Sequence, residues 1–172
     1  PVVRELRPNI PRLKQNIYCG YTDNIYLPMT QIVFPTVPNY HKDEAPLDIL
    51  SSLMGEGKSS IFYKNFVENE KAIQIAVQHP CRELSGEFQF IVLSYPDWQE
   101  DQDIYFNNIE QEIRNTINDW ENKGFTDDEL KKVKMSMESD IINRKISLSS
   151  KVNSMSSWEW LGDGNYNISS EI

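Results

Sequence analysis

The chain has 172 residues, with 17 Lys and Arg against 26 Asp and Glu and a formal net charge of −9. An acidic chain without a basic run forfeits the counterion release that drives phosphate binding, which excludes nucleic acid as a partner. At 39% hydrophobic and 11% aromatic it is too apolar for a disordered tail and long enough for one core. Its longest apolar stretches, such as Phe88 to Leu93, have the length of a strand, far below the roughly 20 residues that span a bilayer. The sequence reads as a soluble domain and leaves its compartment, cytoplasm or periplasm, open.

In chain order, Pro1 to Arg12 carries three prolines and three arginines and reads as a linker arriving from an upstream domain, with the domain itself expected over 13–172. Leu13 to Cys19 and Tyr26 to Val37 are rich in Ile, Tyr, Val and Phe. They predict a hairpin-like strand pair around Asp23 and Asn24, the second strand ending at Pro35 and Pro38. From Asp43 the period becomes helical, with Ala45, Leu47, Ile49, Leu50, Leu53 and Met54 in step and Gly55-Glu56-Gly57 as the stop. A short helix over Ser59 to Glu70 aligns Phe62, Tyr63, Phe66 and Val67 as a core stripe. Ile73 to Gln78 and Glu87 to Tyr95 predict two more strands, the second alternating poorly and expected to be buried on both faces.

The remaining third predicts three helices. Phe106, Ile109, Ile113, Ile117 and Trp120 line one face of a helix from about Asp101 to Asn122, stopped by Gly124. Thr126 to Glu129 forms a capping box opening a helix whose buried face is Leu130, Val133, Met137 and Ile141. A last helix, Leu148 to Leu161, is expected to turn Val152, Met155 and Trp158 or Trp160 inward. The fold class that follows is α+β, a two-layer sandwich with helices gathered on one face of a sheet.

No catalytic centre emerges from the residues. Gly57-Lys58-Ser59 lacks the earlier glycine and the preceding strand of a phosphate loop, and reads as a tight inter-helix turn. His41 and His79 are too far apart for a zinc helix and are expected to be surface or loop residues. No nucleophile elbow is present, and pairing Cys19 or Cys81 with a distant histidine has no support. For the cysteines, two buried free thiols and a single bridge between neighbouring strands both stay open. Asp127-Asp128-Glu129 and Glu100-Asp101 are explained as acidic first turns that favour the helix dipole.

The run Asp43-Glu44-Ala45 through Leu50, then Gly55-Glu56-Gly57-Lys58-Ser59-Ser60 through Tyr63 and Val67, resembles a segment of the pitrilysin/insulinase family of zinc metallopeptidases, the inverzincins. Glu70-Lys71-Ala72-Ile73, Gly86-Glu87-Phe88 and Thr126 through Lys134 resemble three further family segments in the same order. The resemblance implies a mixed, mainly antiparallel sheet of the mitochondrial-processing-peptidase/LuxS-like class. Because the His-x-x-Glu-His zinc motif is absent, it implies the second, non-catalytic domain of a metalloendopeptidase, with no catalytic or metal-ligating residue in this chain. Zinc is then expected in a catalytic domain of the same or a partner chain, facing this one across a chamber that holds peptide substrates.

Departures from the family are specific. Ile61 replaces the usual Arg after the serines, and the Gly55–Gly57 turn is the short form of a substrate-sensing loop, from which less substrate selection is expected. On the strand Glu87 to Tyr95 only Tyr95 could supply the substrate contact that some members make, so it is the one candidate substrate-binding residue. The end at Ser169 to Ile172 falls before the family's further helix and closing strand. If the acidic charge lines the chamber, basic or unfolded peptides would be favoured. The alternatives are a catalytically dead scaffold or a peptide-binding subunit of the same fold.

Overall fold

The computed structural model describes residues 13–97 and 101–161. The expected linker and the last residues of the expected domain lie outside that description. Three strands form one antiparallel sheet in the order β1, β3, β2: β1 is Met29–Thr36, β2 Ala72–Gln78 and β3 Gly86–Ser94. The α+β class and the single helical layer of a two-layer sandwich are borne out.

β3 sets the geometry because it is the central strand. Its residues alternate strictly between buried and half-buried from Gly86 to Ser94. Phe88, Phe90 and Val92 point into the core, and register carries the same face across to Phe34, Ile32 and Thr30 on β1 and to Val77 and Ile75 on β2. The expectation of burial on both faces is corrected here: one face is closed and the other only half-shielded.

The helical layer is built from α1 (Glu44–Gly55), a π-helical turn (Tyr63–Glu68), α2 (Gln102–Lys123), α3 (Asp127–Arg144) and α4 (Leu148–Leu161). Leu47, Leu50 and Met54 of α1 reach the core cluster. Gly57, at φ +76°, turns the chain out of α1, and Ser60 Oγ accepts from the Tyr63 amide at 3.3 Å to open the next turn. That turn is wider than the expected helix, closing with Lys71 N to Phe66 O at 2.9 Å, an i to i+5 bond. It delivers Phe62 and Phe66, 0% and 1% exposed, as stacked rings against Phe90. Fully burying each such ring stabilises the fold by about 2–3 kcal/mol.

α2 starts and stops as the sequence expects. Asp101 caps it by accepting from the amides of Asp103 and Ile104, and Gly124, at φ +68°, ends it. Its buried face is Tyr105, Ile113 and Thr116, with Ile109, Ile117 and Trp120 partly covered. Phe106 is exposed and Tyr105 takes the expected place, because its hydroxyl can donate to Tyr95 O at 2.5 Å. The capping box of α3 forms with both reciprocal bonds. Leu130, Val133, Met137 and Ile141 do make its shielded face, but only half-buried. In α4, Val152 and Met155 are exposed, contrary to expectation, and of the two candidate tryptophans Trp160 is exposed while half-buried Trp158 meets Tyr40 edge-on at 4.7 Å.

The first expected strand is not formed. Leu13 to Cys19 is exposed and, among the described residues, has no ladder partner; β1 pairs with β3 and not with a hairpin mate. Strand propensity reflects fit to a neighbouring strand, and composition alone does not secure one. β1 also runs through Pro35, which an edge strand tolerates because alternate amides point away from the ladder.

Gly55 sits so close to β2 that an added Cβ would lie 2.6 Å from Val77 Cβ. Gly55→Ala is therefore expected to lower unfolding free energy by about 1–3 kcal/mol. Urea denaturation reads this directly, and an unchanged midpoint would contradict the close helix–sheet approach.

Candidate functional site

Three features of this scaffold could carry function. The first is the sheet face away from the helices. β1 contributes Met29, Gln31, Val33 and Pro35; β3 contributes Glu87, Gln89, Ile91 and Leu93; β2 contributes Gln74, Ala76 and Gln78. Register places them in cross-strand rows, such as Gln31 with Ile91 and Ala76, on the face opposite Phe88, Phe90 and Val92. Glu87 is the one charge on it, and Gln89 donates to its carboxylate.

The second feature is a polar knot at the far end of the sheet. His79, expected at the surface, has a fully buried side chain. Its Nδ1 lies 2.7 Å from Asp48 Oδ1 on α1, and its Nε2 lies 3.0 Å from Thr36 Oγ1 on β1. Cys81 Sγ sits 3.6 and 3.8 Å from the two ring nitrogens and donates to Val37 O at 3.4 Å. Glu44 accepts from the Tyr40 amide, and Asn39, with its amide nitrogen turned toward them, donates to Glu44 Oε1 and Cys81 O at 3.2 Å each. Gly86 makes room, since a Cβ there would approach Val37 O at 2.4 Å and Cys81 Sγ at 2.8 Å.

Hydroxyl, imidazole and carboxylate in a row resemble a catalytic relay, but the surroundings oppose one. Burial, then the nearby Glu44 and Asp48 carboxylates, push the Cys81 thiol up to about 11, so it stays protonated and un-nucleophilic. Burial likewise raises Glu44 above its ordinary value, ahead of the lowering effect of the Tyr40 amide. The knot ties α1, β1 and the β2–β3 connection together. Sequence reasoning missed it, although His79 and Cys81 stand only two positions apart, because nothing in the sequence brings Asp48 and Thr36 to them.

The third feature is an open groove of about 370 Å³ beside the outer edge of β2, lined by Ser52, Gly55, Glu56, Gly57 and Ile75 to Gln78. Tyr95, the candidate substrate contact, stands immediately past β3 and is 50% exposed, its carbonyl held by Tyr105. The serines of the glycine turn act locally: Ser60 caps the next turn.

Residues 2–137 match the family described as the peptidase M16 inactive domain. The chain belongs to that family. Among solved structures, a protease from Helicobacter pylori is 22% identical with a TM-score of 0.67, over 86% of this chain and 37% of that one. A candidate zinc protease from Bordetella pertussis Tohama I is 18% identical with a TM-score of 0.66, over 81% and 74%. A peptidase M16 inactive domain from Pseudomonas fluorescens is 11% identical with a TM-score of 0.54, over 67% and 28%. These likenesses show the fold, and the chain spans little more than a third of the H. pylori protein. A sequence comparison with curated proteins finds no match.

As an M16 inactive domain the chain is a non-catalytic one. The zinc that the family implies does not fit its described residues. No three of their His, Cys, Asp or Glu side chains converge on a metal position, and both nitrogens of the buried His79 are already engaged. No described helix is long and apolar enough to cross a membrane. Both cysteines are free, and Cys19, one of the two expected buried thiols, is exposed.

Two outcomes follow from the knot. With its thiol at about 11, Cys81 is only about one part in a thousand thiolate at pH 8. Iodoacetamide at that pH should therefore label Cys19 and spare Cys81, and mass spectrometry showing equal labelling would refute the shielded thiol. Glu44 is raised in the fold, so its ionisation opposes folding above the ordinary value of 4.5, an effect absent below it. Glu44→Gln should raise the melting temperature at pH 7 while preserving the acceptor for Tyr40, and the gain should vanish by about pH 4.

Proposed function

We propose that this chain is the non-catalytic half of a zinc-dependent metalloendopeptidase, forming the chamber wall and the substrate-contact half opposite a zinc-bearing domain. Membership of the M16 inactive-domain family over residues 2–137 carries the reading. In it, the catalytic domain lies in the same chain or in a partner chain, holds the zinc, and acts on peptides. When bound there, zinc supplies an activated water for hydrolysis; this chain's residues contribute walls and contacts.

The groove between the Gly55–Gly57 turn and the outer edge of β2 supports a peptide contact. An edge strand offers unpaired backbone groups to an extended segment, and the short turn leaves the approach open. Tyr95, exposed at the end of β3, is the side chain proposed to meet substrate beyond it. Part of the acidic charge falls on the helical layer: α2 carries five acids against two bases, and α3 five against four. The open sheet face, with Glu87 alone, would give basic peptides no advantage.

Purified without its companion, the chain should bind no stoichiometric zinc and cleave no peptide, whereas the zinc-bearing half together with it should hydrolyse peptides. Chelator-sensitive cleavage by a clean preparation of this chain alone would overturn the assignment.

A further inference from the structure

We infer that α4 is a strap closed over the loop between β1 and α1 by the Tyr40–Trp158 ring contact, and that a proton on the Glu44 carboxyl tightens it. This device is independent of the function proposed above.

α4 is fastened lightly, since none of its residues is fully buried. Its shielded positions, Ser150, Ser154, Trp158 and Leu161, are spaced by 4, 4 and 3 and so share one helix face. Two of the four are serines, which bring little apolar area, so attachment on this face falls on Trp158 and Leu161. The Trp158 ring stands at 82° to that of Tyr40 with centroids 4.7 Å apart, an edge-on geometry that aromatic pairs favour. Tyr40 itself is 37% exposed and lies outside the core cluster, so the contact can part without opening the core.

Tyr40 presents its ring from a strained backbone. Its φ of +62° is left-handed, an unfavourable region for an aromatic residue. Neighbouring bonds impose it: Asn39 N donates to Arg82 O at 2.9 Å, His41 N to Pro38 O at 3.3 Å, and the Tyr40 amide to the Glu44 carboxylate. The turned Asn39 side chain donates to the same carboxylate and to Cys81 O. Glu44 therefore links the His79 knot to Tyr40 and, through its ring, to α4.

Acidity acts at that group. Facing Glu44 are Asp48, one turn further along α1, and His79 and Cys81 from the end of β2 and the connection after it. On the loop itself, His41 and Asp43 lie 3.6 Å from each other. The closed loop keeps water from the Glu44 carboxyl, which penalises the ion, and Asp48 adds like-charge repulsion. Together they outweigh the Tyr40 amide and His79, so the carboxyl is raised above 4.5. A proton thus binds the closed loop more tightly than one opened to water, and by reciprocity it favours closure. The effect grows as pH falls through the raised value and is complete below 4.5, where both forms are protonated. Asn39 serves either form, because an amide turned over accepts where it had donated.

The test follows hydrogen exchange of the α4 amides in the intact protein, corrected for the intrinsic pH dependence of exchange, with the β3 amides as internal reference. Tyr40→Gly removes the ring and relieves the backbone, and should speed α4 exchange by roughly two- to tenfold while leaving β3 unchanged. In the wild type, going from about pH 7 to about pH 5 should slow α4 exchange by about twofold or more. Glu44→Gln, which has no ionisable proton, should exchange at about pH 7 as slowly as the wild type at about pH 5, and lose the pH dependence. Unchanged α4 exchange in Tyr40→Gly would overturn the strap, as would equal acceleration of α4 and β3, which would make the ring a support of the whole fold. A pH response that survives in Glu44→Gln would overturn the role of the proton. Glu44→Gln also keeps an acceptor for Tyr40, so its response decides the matter if Tyr40→Gly misfolds.

Discussion

The alternation along β3 is the constraint on which the rest of the domain depends. Because the strand is central, Phe88, Phe90 and Val92 must be covered by a layer of their own, and the π-helical turn answers with Phe62 and Phe66 while α2 supplies Ile113. A shift of one residue in register would bury Glu87 and Gln89 and expose three core side chains, which makes the pairing with β1 and β2 strongly specified. The same alternation that builds the core leaves a second face of aliphatic and amide side chains on which Glu87 is the one charge.

The ends of the sheet are held by different means. At one end, Tyr105 of α2 donates to the carbonyl of Tyr95 and fixes the exit of β3. At the other, the His79 knot joins a helix, a strand end and a loop through paired polar contacts, in a place where apolar packing would have needed bulk that Gly86 cannot provide. A buried imidazole engaged on both nitrogens rigidifies, because each partner satisfies a group that would be costly to leave alone. That commitment suits an inactive domain: both nitrogens of His79 are engaged and the Cys81 thiol stays protonated.

Membership of the M16 inactive-domain family and the layered α+β fold agree with the motifs of the sequence, and the disagreements have local causes. The helices of the second half were legible because caps and periodicity are short-range: Asp101, Gly124 and the Thr126–Glu129 box act within a few residues of themselves. Tyr105 displaced Phe106 because a hydroxyl needed a carbonyl that only the folded chain puts beside it. The segment from Leu13 to Cys19 has strand composition but no strand, since composition does not determine which segments pair.

The candidate site divides along the same line. By itself the sequence determined that the chain lacks a zinc helix, that the Gly55–Gly57 turn is short, and that aromatic residues close the core, all consequences of residue identity and spacing. Only the tertiary structure decided that His79 is buried between Asp48 and Thr36, and that four glutamines share one face with aliphatic neighbours. Those facts depend on contacts between residues tens of positions apart. Such contacts are selected by the burial free energy of the whole sheet and helical layer, and no short stretch of sequence contains it.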